Sequence, residues 1–68
     1  MAIPEHVVRM QAERSDLGGR LDRLAAFLET EKFSELPAAD QGLLRAQASA
    51  MQTYLSILTK RIERQTQT

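Results

Sequence analysis

Apolar residues recur along most of this chain at spacings of three and four, the pattern of helices that pack along one seam. In the first half, the series runs Val7, Met10, Leu17, Leu21, Leu24 and Leu28. In the second half, it runs Leu44, Ala48, Met51, Leu55, Leu58 and Ile62. Between the two series, Ser34 is placed to be a helix N-cap and Pro37 to lie in the first turn that follows. The sequence therefore predicts an all-α fold, an antiparallel two-helix hairpin.

The 68 residues suffice for a single helical-hairpin domain. We expect helix one over about 4–30, the turn over 31–36, helix two over about 37–63 and a frayed polar tail over 64–68. As an alternative within the same fold class, we consider a short additional helical segment at the N-terminus of this chain. Gly18 and Gly19 fall inside helix one, where they indicate either a slight bend or a close approach by another backbone.

Helix two carries a second apolar line beside its seam, formed by Leu43, Ala50 and Ile57 at seven-residue spacing. A two-helix hairpin buries only one seam per helix, so this line requires a partner surface, and a second copy of the chain is the simplest one. Association is also expected because a chain of this size has a small core and this one has no cysteine for disulfides. We therefore predict a homo-oligomeric, coiled-coil-like bundle with Leu43, Ala50, Met51 and Ile57 at its interface.

Charge and composition exclude several classes of function. The formal net charge is zero, which disfavours binding to duplex DNA. No apolar run approaches the ~20 residues that a membrane span needs, so no membrane partner is expected. The single histidine cannot build a metal site alone. The sequence contains no nucleophile–base set and no phosphate-binding loop. We expect a protein that is not an enzyme and that uses no cofactor and no metal.

Several polar residues are predicted to gather toward the open end of the hairpin. With a turn near Ser34, residues on one level have numbers that sum to roughly 68, so Arg14 lies level with Tyr54. Gln47, Tyr54 and Arg61 share one face because they repeat every seven residues. An aromatic ring beside guanidinium groups suits a phosphorylated base, since the ring stacks and the guanidiniums bind phosphate. The candidate ligand-binding residues are His6, Arg9, Arg14, Gln47, Tyr54 and Arg61.

The same residues also have purely structural explanations. Arg61 and Arg64 complement the negative end of helix two. Arg14 can lay its methylenes along the seam with its charge in water, or pair with Glu13 or Asp16 of a neighbouring subunit. Spacing alone does not decide between these alternatives.

Two acidic residues of helix one precede an arginine by four positions. Glu5 precedes Arg9 in this way, and Asp16 precedes Arg20. Such spacing is typical of surface ion pairs, so we expect these carboxylates to give ordinary support to the helix.

Two residue patterns resemble a known family. The first is Pro4-Glu5-His6, Arg9, Glu13-Arg14, Leu17, Leu21, Leu24 and Phe27. The second is Phe33, Leu36-Pro37, Asp40-Gln41, Leu43-Leu44, Gln47, Met51, Tyr54, Leu58 and Arg61-Ile62. Together they resemble very short phage and prophage proteins labelled by relatedness to a crAss-like phage protein of unknown role. The resemblance covers Pro4 to Ile62. Members often carry two glutamines where this chain has Val7 and Val8.

By architecture and size, the chain is also similar to phage anti-CBASS and anti-Thoeris sponges. Those proteins form oligomers and hold nucleotide messengers between subunits without cleaving them. The resemblance implies a phage anti-defence protein that sequesters a cyclic oligonucleotide or an ADP-ribose derivative in the cytoplasm of the infected bacterial host. Two alternatives remain: a helical inhibitor that binds a host defence protein through Leu43, Ala50 and Ile57, and a small structural or assembly protein of the phage.

Overall fold

Three helices account for nearly all of the chain in a computed structural model, which describes residues 3–66. Helix α1 spans Glu5–Leu28, α2 spans Glu31–Ser34 and α3 spans Ala38–Thr66. The long helices α1 and α3 pack along each other as a hairpin that is 52 Å long and 14 Å across. The all-α class and the long helix pair expected from the apolar spacing are thus confirmed.

The core lies along the α1–α3 contact. Val7 and Leu58 have no exposed surface, and Met10 and Ile62 complete their cluster near the open end. The remaining buried hydrophobic residues are Leu17, Leu21 and Phe33. Apart from Phe33, all of these occupy predicted seam positions. Burial of a side chain such as Leu58 contributes about 1.5–3 kcal/mol, so this row of contacts stabilises the pairing of the long helices.

The closed end contains α2, a single helical turn capped by Thr30. The Phe33 N–H donates to the Thr30 hydroxyl at 3.3 Å, which satisfies one free donor at the start of α2. Phe33 is 3% exposed, meets Phe27 edge-on at 6.0 Å between ring centroids, and has the Arg45 guanidinium 5.0 Å above its ring. The additional short helix therefore lies in the predicted turn, not at the N-terminus, because Thr30 and Phe33 stabilise it there.

The predicted N-cap role of Ser34 is wrong. Ser34 is the last residue of α2, and its hydroxyl donates to the Glu31 carbonyl at 2.6 Å. Helix α3 begins after Pro37, whose carbonyl accepts the Gln41 N–H at 3.0 Å. The Gln41 amide also donates to the carbonyls of Ser34 at 3.2 Å and Leu36 at 2.8 Å. Gln41 thereby supplies the polar contacts that join the turn to α3.

The C-terminal part of α3 is longer than predicted. The helix continues to Thr66, whose hydroxyl donates to the carbonyls of Ile62 at 3.0 Å and Glu63 at 3.3 Å. Gln65 also meets His6 across the hairpin, with 3.1 Å between Oε1 and Nε2. Residues 64–66 of the predicted tail are thus helical, and residues 67–68 lie outside the described residues.

Helix α1 is continuous through Gly18 and Gly19. Within residues 3–66, no residue has a positive φ. A Cβ added at Gly18 would meet nothing within 4 Å, so no other backbone of the described chain approaches this position. The close approach considered as one explanation is absent between the described parts of this chain.

The helices within residues 3–66 lack the length of apolar sequence that crossing a membrane requires.

Candidate ligand-binding site

A groove of about 540 Å³ follows one flank of the contact between α1 and α3. Its lining from α1 consists of Arg9, Ala12, Glu13, Asp16, Leu17 and Arg20, and its lining from α3 is Tyr54. The volume falls in the range of roughly 300–1,000 Å³ that is typical of small-molecule sites. The groove therefore has room for a ligand of nucleotide size.

The charged lining residues share one face of α1. Arg9, Glu13, Asp16 and Arg20 follow each other at spacings of four, three and four, which places them on one side of the helix. The seam residue Leu17 is 8% exposed and lies beside them. The heptad pattern that packs α1 on α3 thus also aligns two arginines and two carboxylates along the edge of the interface.

Tyr54 connects α3 to this charged face. Its side chain is 39% exposed, so much of the ring is accessible. Hydrogen bonding to the Glu13 carboxylate raises the pKa of Tyr54 above its ordinary value, with smaller contributions from desolvation and from the negative charge of Glu13. The positive charge of Arg61 opposes this effect on the pKa. The Tyr54 hydroxyl therefore lies close enough to Glu13 of α1 and to Arg61 for both charges to act on its pKa.

Of the residues predicted to bind a ligand, Arg9 and Tyr54 line the groove together. Arg9 also forms an exposed ion pair with Glu5, with 2.9 Å between Nη2 and Oε1. Arg61 acts on Tyr54 through its charge but does not line this groove within the described chain.

Three other predicted residues lie elsewhere in the described structure. His6 bonds to Gln65 at the open end, and the Gln47 amide lies 3.9 Å from the Met51 sulfur on α3. Arg14 is half-buried and is not part of the groove lining. It follows Glu13 by one residue and is therefore rotated about 100° from it around α1, away from the groove.

Sequence reasoning did not name Asp16 and Arg20 as groove-lining residues, because they were expected to pair with each other. Among residues 3–66, the only ion pair is that between Glu5 and Arg9, which was predicted. The expected Asp16–Arg20 pair is absent there, and both side chains line the groove instead. The sequence signal that could have identified Asp16 and Arg20 is the alignment of residues 9, 13, 16 and 20 on one face beside the apolar seam.

A second depression of about 350 Å³ adjoins the groove on α1. It is lined by Ser15, Asp16, Gly19, Arg20 and Arg23, so Asp16 and Arg20 belong to both. A Cβ at Gly19 would lie 3.6 Å from Nη1 of Arg23, which shows that this guanidinium folds back over the glycine. The two depressions together form one surface along α1, with Arg9 at one end, Tyr54 near Glu13 in between, and Arg20 and Arg23 at the other end.

The chemistry of this surface is mixed in charge. Arginines offer forked donors for phosphate, ionised carboxylates accept hydrogen bonds only, and the tyrosine offers a ring face. Across the described residues, no group of three or more His, Asp or Glu side chains is arranged to hold a metal ion. The arrangement suits a ligand that carries an aromatic ring, an anionic group and hydrogen-bond donors.

Comparison with known proteins places the chain among small phage proteins. A family model described as Sequestin matches residues 4–64. The chain is also similar to an uncharacterized 7.5 kDa protein from the denB-rIIB intergenic region of Enterobacteria phage T4. The two are 37% identical over 54 residues, which cover 79% of this chain and 84% of the relative. No solved structure matches it. The expectation of a small phage-protein family is supported, under this name and not the crAss-like label, and the chain belongs to the Sequestin family.

Proposed function

We propose that this chain sequesters a nucleotide immune second messenger on behalf of a phage, and that it does so without cleaving the ligand. The observation that carries the proposal is the groove in which Tyr54 lies with Arg9 and Arg20. The family name supports a sequestering role, and the phage T4 relative supports a phage context. The protein then acts in the cytoplasm of the infected bacterium, with a cyclic oligonucleotide or an ADP-ribose derivative as its ligand.

Each lining group has a role in this proposal. The exposed ring of Tyr54 stacks on the base, an interaction worth about 1–3 kcal/mol per base. Arg9 and Arg20 donate to phosphate oxygens, where the guanidinium fork gives both strength and direction. Because the groove is open on the surface of the hairpin, the ligand enters without separating α1 from α3.

The proposal includes a homo-oligomer. Leu43 is 70% exposed and Ile57 is 49% exposed, and Ala50 between them is exposed as well. These residues lie within about 60° of Tyr54 around α3, so a second copy packed on them borders the groove. Arg14, which is rotated away from the groove of its own chain, contacts a ligand only in the groove of a neighbouring copy.

The experiment is native mass spectrometry and calorimetry of the purified protein with cyclic di- and trinucleotides and cyclic ADP-ribose isomers. We expect an intact nucleotide to be retained at fixed stoichiometry. Tyr54→Ala should weaken binding by about 5- to 150-fold, which corresponds to the 1–3 kcal/mol of one stacked base. Arg9→Ala should also weaken it, because a phosphate contact is lost.

Arg45→Ala is the matched control for Arg9→Ala. Arg45 lies over Phe33 at the closed end, outside the groove, so its removal should leave the affinity unchanged. Unchanged affinity in both Tyr54→Ala and Arg9→Ala would contradict the assignment of the site. Hydrolysis of the bound nucleotide would contradict sequestration.

The exposed line of Leu43, Ala50 and Ile57 favours a second candidate function, inhibition of a host defence protein by direct binding. An apolar row on a single helix is typical of helices that dock into a groove of a partner. The same titrations discriminate between the candidates: if every nucleotide is ignored while a charge at Ile57 abolishes anti-defence activity, the protein-binding function is favoured.

A further inference from the structure

We infer that the outer surface of α3 pairs with a second copy of this chain in antiparallel orientation, about a two-fold axis that passes beside Ala50. This inference rests on the homo-oligomer of the proposed function and specifies how two copies meet. Two lines of exposed residues on α3, one apolar and one polar, carry it because both are symmetric about nearly the same point.

The apolar line of α3 is symmetric about Ala50. Leu43 and Ile57 lie seven residues before and after it, and they are 70% and 49% exposed. In an antiparallel pair centred on Ala50, Leu43 packs on the partner's Ile57, and the two Ala50 methyl groups meet between these contacts. The small central side chain lets the helices approach closely, and the larger pairs bury apolar surface that the hairpin leaves exposed.

A polar line beside the apolar one favours a single orientation. Its residues repeat every seven positions and are all exposed: Asp40, Gln47, Tyr54 and Arg61. The line begins with a negative charge, ends with a positive charge and is centred within one residue of Ala50. Antiparallel pairing places Asp40 opposite the partner's Arg61 at both ends, whereas parallel pairing places each charge against its own copy. Because like charges across an interface are unfavourable, the antiparallel pair is preferred.

The distribution of charge along the rod adds to this preference. Residues 29–40 at the closed end contain four acidic side chains and one lysine, while residues 60–64 of α3 contain three basic side chains and one glutamate. An antiparallel pair brings the acidic end of each copy beside the basic end of its partner. The helix dipoles act in the same direction, since the N-terminus of each α3 lies beside the C-terminus of the other.

The pairing also brings the partner to the groove. Tyr54 and Gln47 lie at equal distances on either side of the centre of the polar line, so each Tyr54 lies level with the partner's Gln47 on the same flank. In its own chain, Gln47 lies away from the groove, where its amide is 3.9 Å from the Met51 sulfur. The partner thus contributes a polar side chain to the groove that a single chain does not supply.

The test uses engineered cysteines, because the chain has none of its own. Helix axes that pack roughly 8–10 Å apart leave about 5 Å between Cα atoms at their closest approach, which a disulfide spans. Ala50→Cys should therefore form a disulfide-linked dimer under mild oxidation, as seen on a non-reducing gel. Leu43→Cys alone and Ile57→Cys alone should not, because two copies of either position lie about 21 Å apart along an antiparallel pair. The double variant Leu43→Cys/Ile57→Cys should be linked.

Ser56→Cys is the matched control for random collisions between molecules. Ser56 is exposed like Ile57 but is rotated about 100° around α3, away from the pairing surface. This variant should run as a monomer on the same gel. Circular dichroism of each variant should show an unchanged helical fold, because all four substituted positions are exposed.

A charge reversal provides a second measurement that does not depend on oxidation. Asp40→Arg removes two exposed ion pairs from the dimer and should raise the dissociation constant of the assembly by about 2- to 30-fold, measured by sedimentation at several concentrations. Arg61→Asp should have a similar effect. The double variant Asp40→Arg/Arg61→Asp exchanges the two charges and should restore the assembly, because each end again joins opposite signs.

The outcomes separate this inference from the proposed function. Parallel pairing would link all three single variants at positions 43, 50 and 57 and would overturn the antiparallel orientation. An oligomeric parent in which Ala50→Cys is not linked would place the interface elsewhere, and a double charge variant that stays dissociated would overturn the pairing of Asp40 with Arg61. The expected links in a protein that binds no nucleotide would support this inference and contradict sequestration, whereas nucleotide binding by a monomeric parent would do the reverse.

Discussion

The effect of Glu13 on the pKa of Tyr54 makes the site directly observable, because Tyr54 is the single tyrosine and the chain has no tryptophan. Glu13→Gln removes the negative charge and the carboxylate acceptor that raise the pKa of Tyr54. We therefore expect the pKa of Tyr54 to fall toward its ordinary value in this variant. The measurement is a pH titration of tyrosinate absorbance, which reports this one residue.

Two further variants control the titration of Tyr54. Arg61→Gln removes the charge that lowers the pKa, so it should move the titration to higher pH, opposite to Glu13→Gln. Glu63→Gln changes the net charge as Glu13→Gln does but lies outside the groove, and it should have little effect. A titration that is the same in the Glu13 and Glu63 variants would refute the effect of Glu13 on the Tyr54 hydroxyl.

For single residues, the sequence could predict which residues of α1 and α3 lie at the same level of the hairpin. It could not predict on which side of the contact between the two helices they lie. The sum of residue numbers placed Arg14 level with Tyr54, and it says nothing about rotation around the helix. Glu13, one residue earlier, is the residue of α1 whose carboxylate raises the pKa of Tyr54. In the same way, the spacing of Asp16 and Arg20 is compatible with a pair or with two independent side chains. Only the rotamers decide, and these depend on the three-dimensional surroundings.

Among the helices, the seams were predictable and the ends were not. Burial of an apolar row sets the faces of α1 and α3, and this row is visible as a period in the sequence. The ends depend on single polar contacts, for which the sequence offers competing residues. Both Thr30 and Ser34 can cap a helix, and Thr30 does so because the turn after it brings Phe33 back onto Phe27. Helix α3 likewise continues to Thr66, whose hydroxyl bonds back to the carbonyls of Ile62 and Glu63.

The glycines of the two long helices allow a prediction about the stability of the helices. Gly18→Ala should stabilise the fold by about 0.5–1 kcal/mol, because alanine has the better helix propensity and its Cβ meets nothing within 4 Å. Gly42→Ala in α3 has the same open surroundings and serves as the matched comparison. Urea unfolding of each variant measures the change in free energy. A loss of stability confined to Gly18→Ala would show that another copy packs closely against α1 at that position.

The molecule as a whole is a thin rod, and this shape limits its core. At 14 Å across, it buries little more than one seam between two helices, and a lone core of this size supplies about 3–5 kcal/mol. The sequence revealed the surplus apolar line of α3, and Leu43 and Ile57 are indeed exposed in the single chain. Subunit number and packing angle were not predictable, because an apolar line specifies that a partner is needed but not the angle at which it packs.

The last prediction concerns this surplus line. Ile57→Glu should dissociate the oligomer that we propose, because a charge in an apolar interface loses its hydration without gaining a partner. Sedimentation velocity or native mass spectrometry measures the assembly, and the melting temperature of the parent protein should rise with its concentration. Ser56→Glu adds the same charge at the adjacent exposed position, rotated about 100° around α3, and should leave the assembly intact. If neighbouring copies complete the groove, Ile57→Glu also weakens nucleotide binding while Ser56→Glu does not. A parent protein that sediments as a monomer would refute the oligomer, and an oligomer that survives Ile57→Glu would place its interface elsewhere.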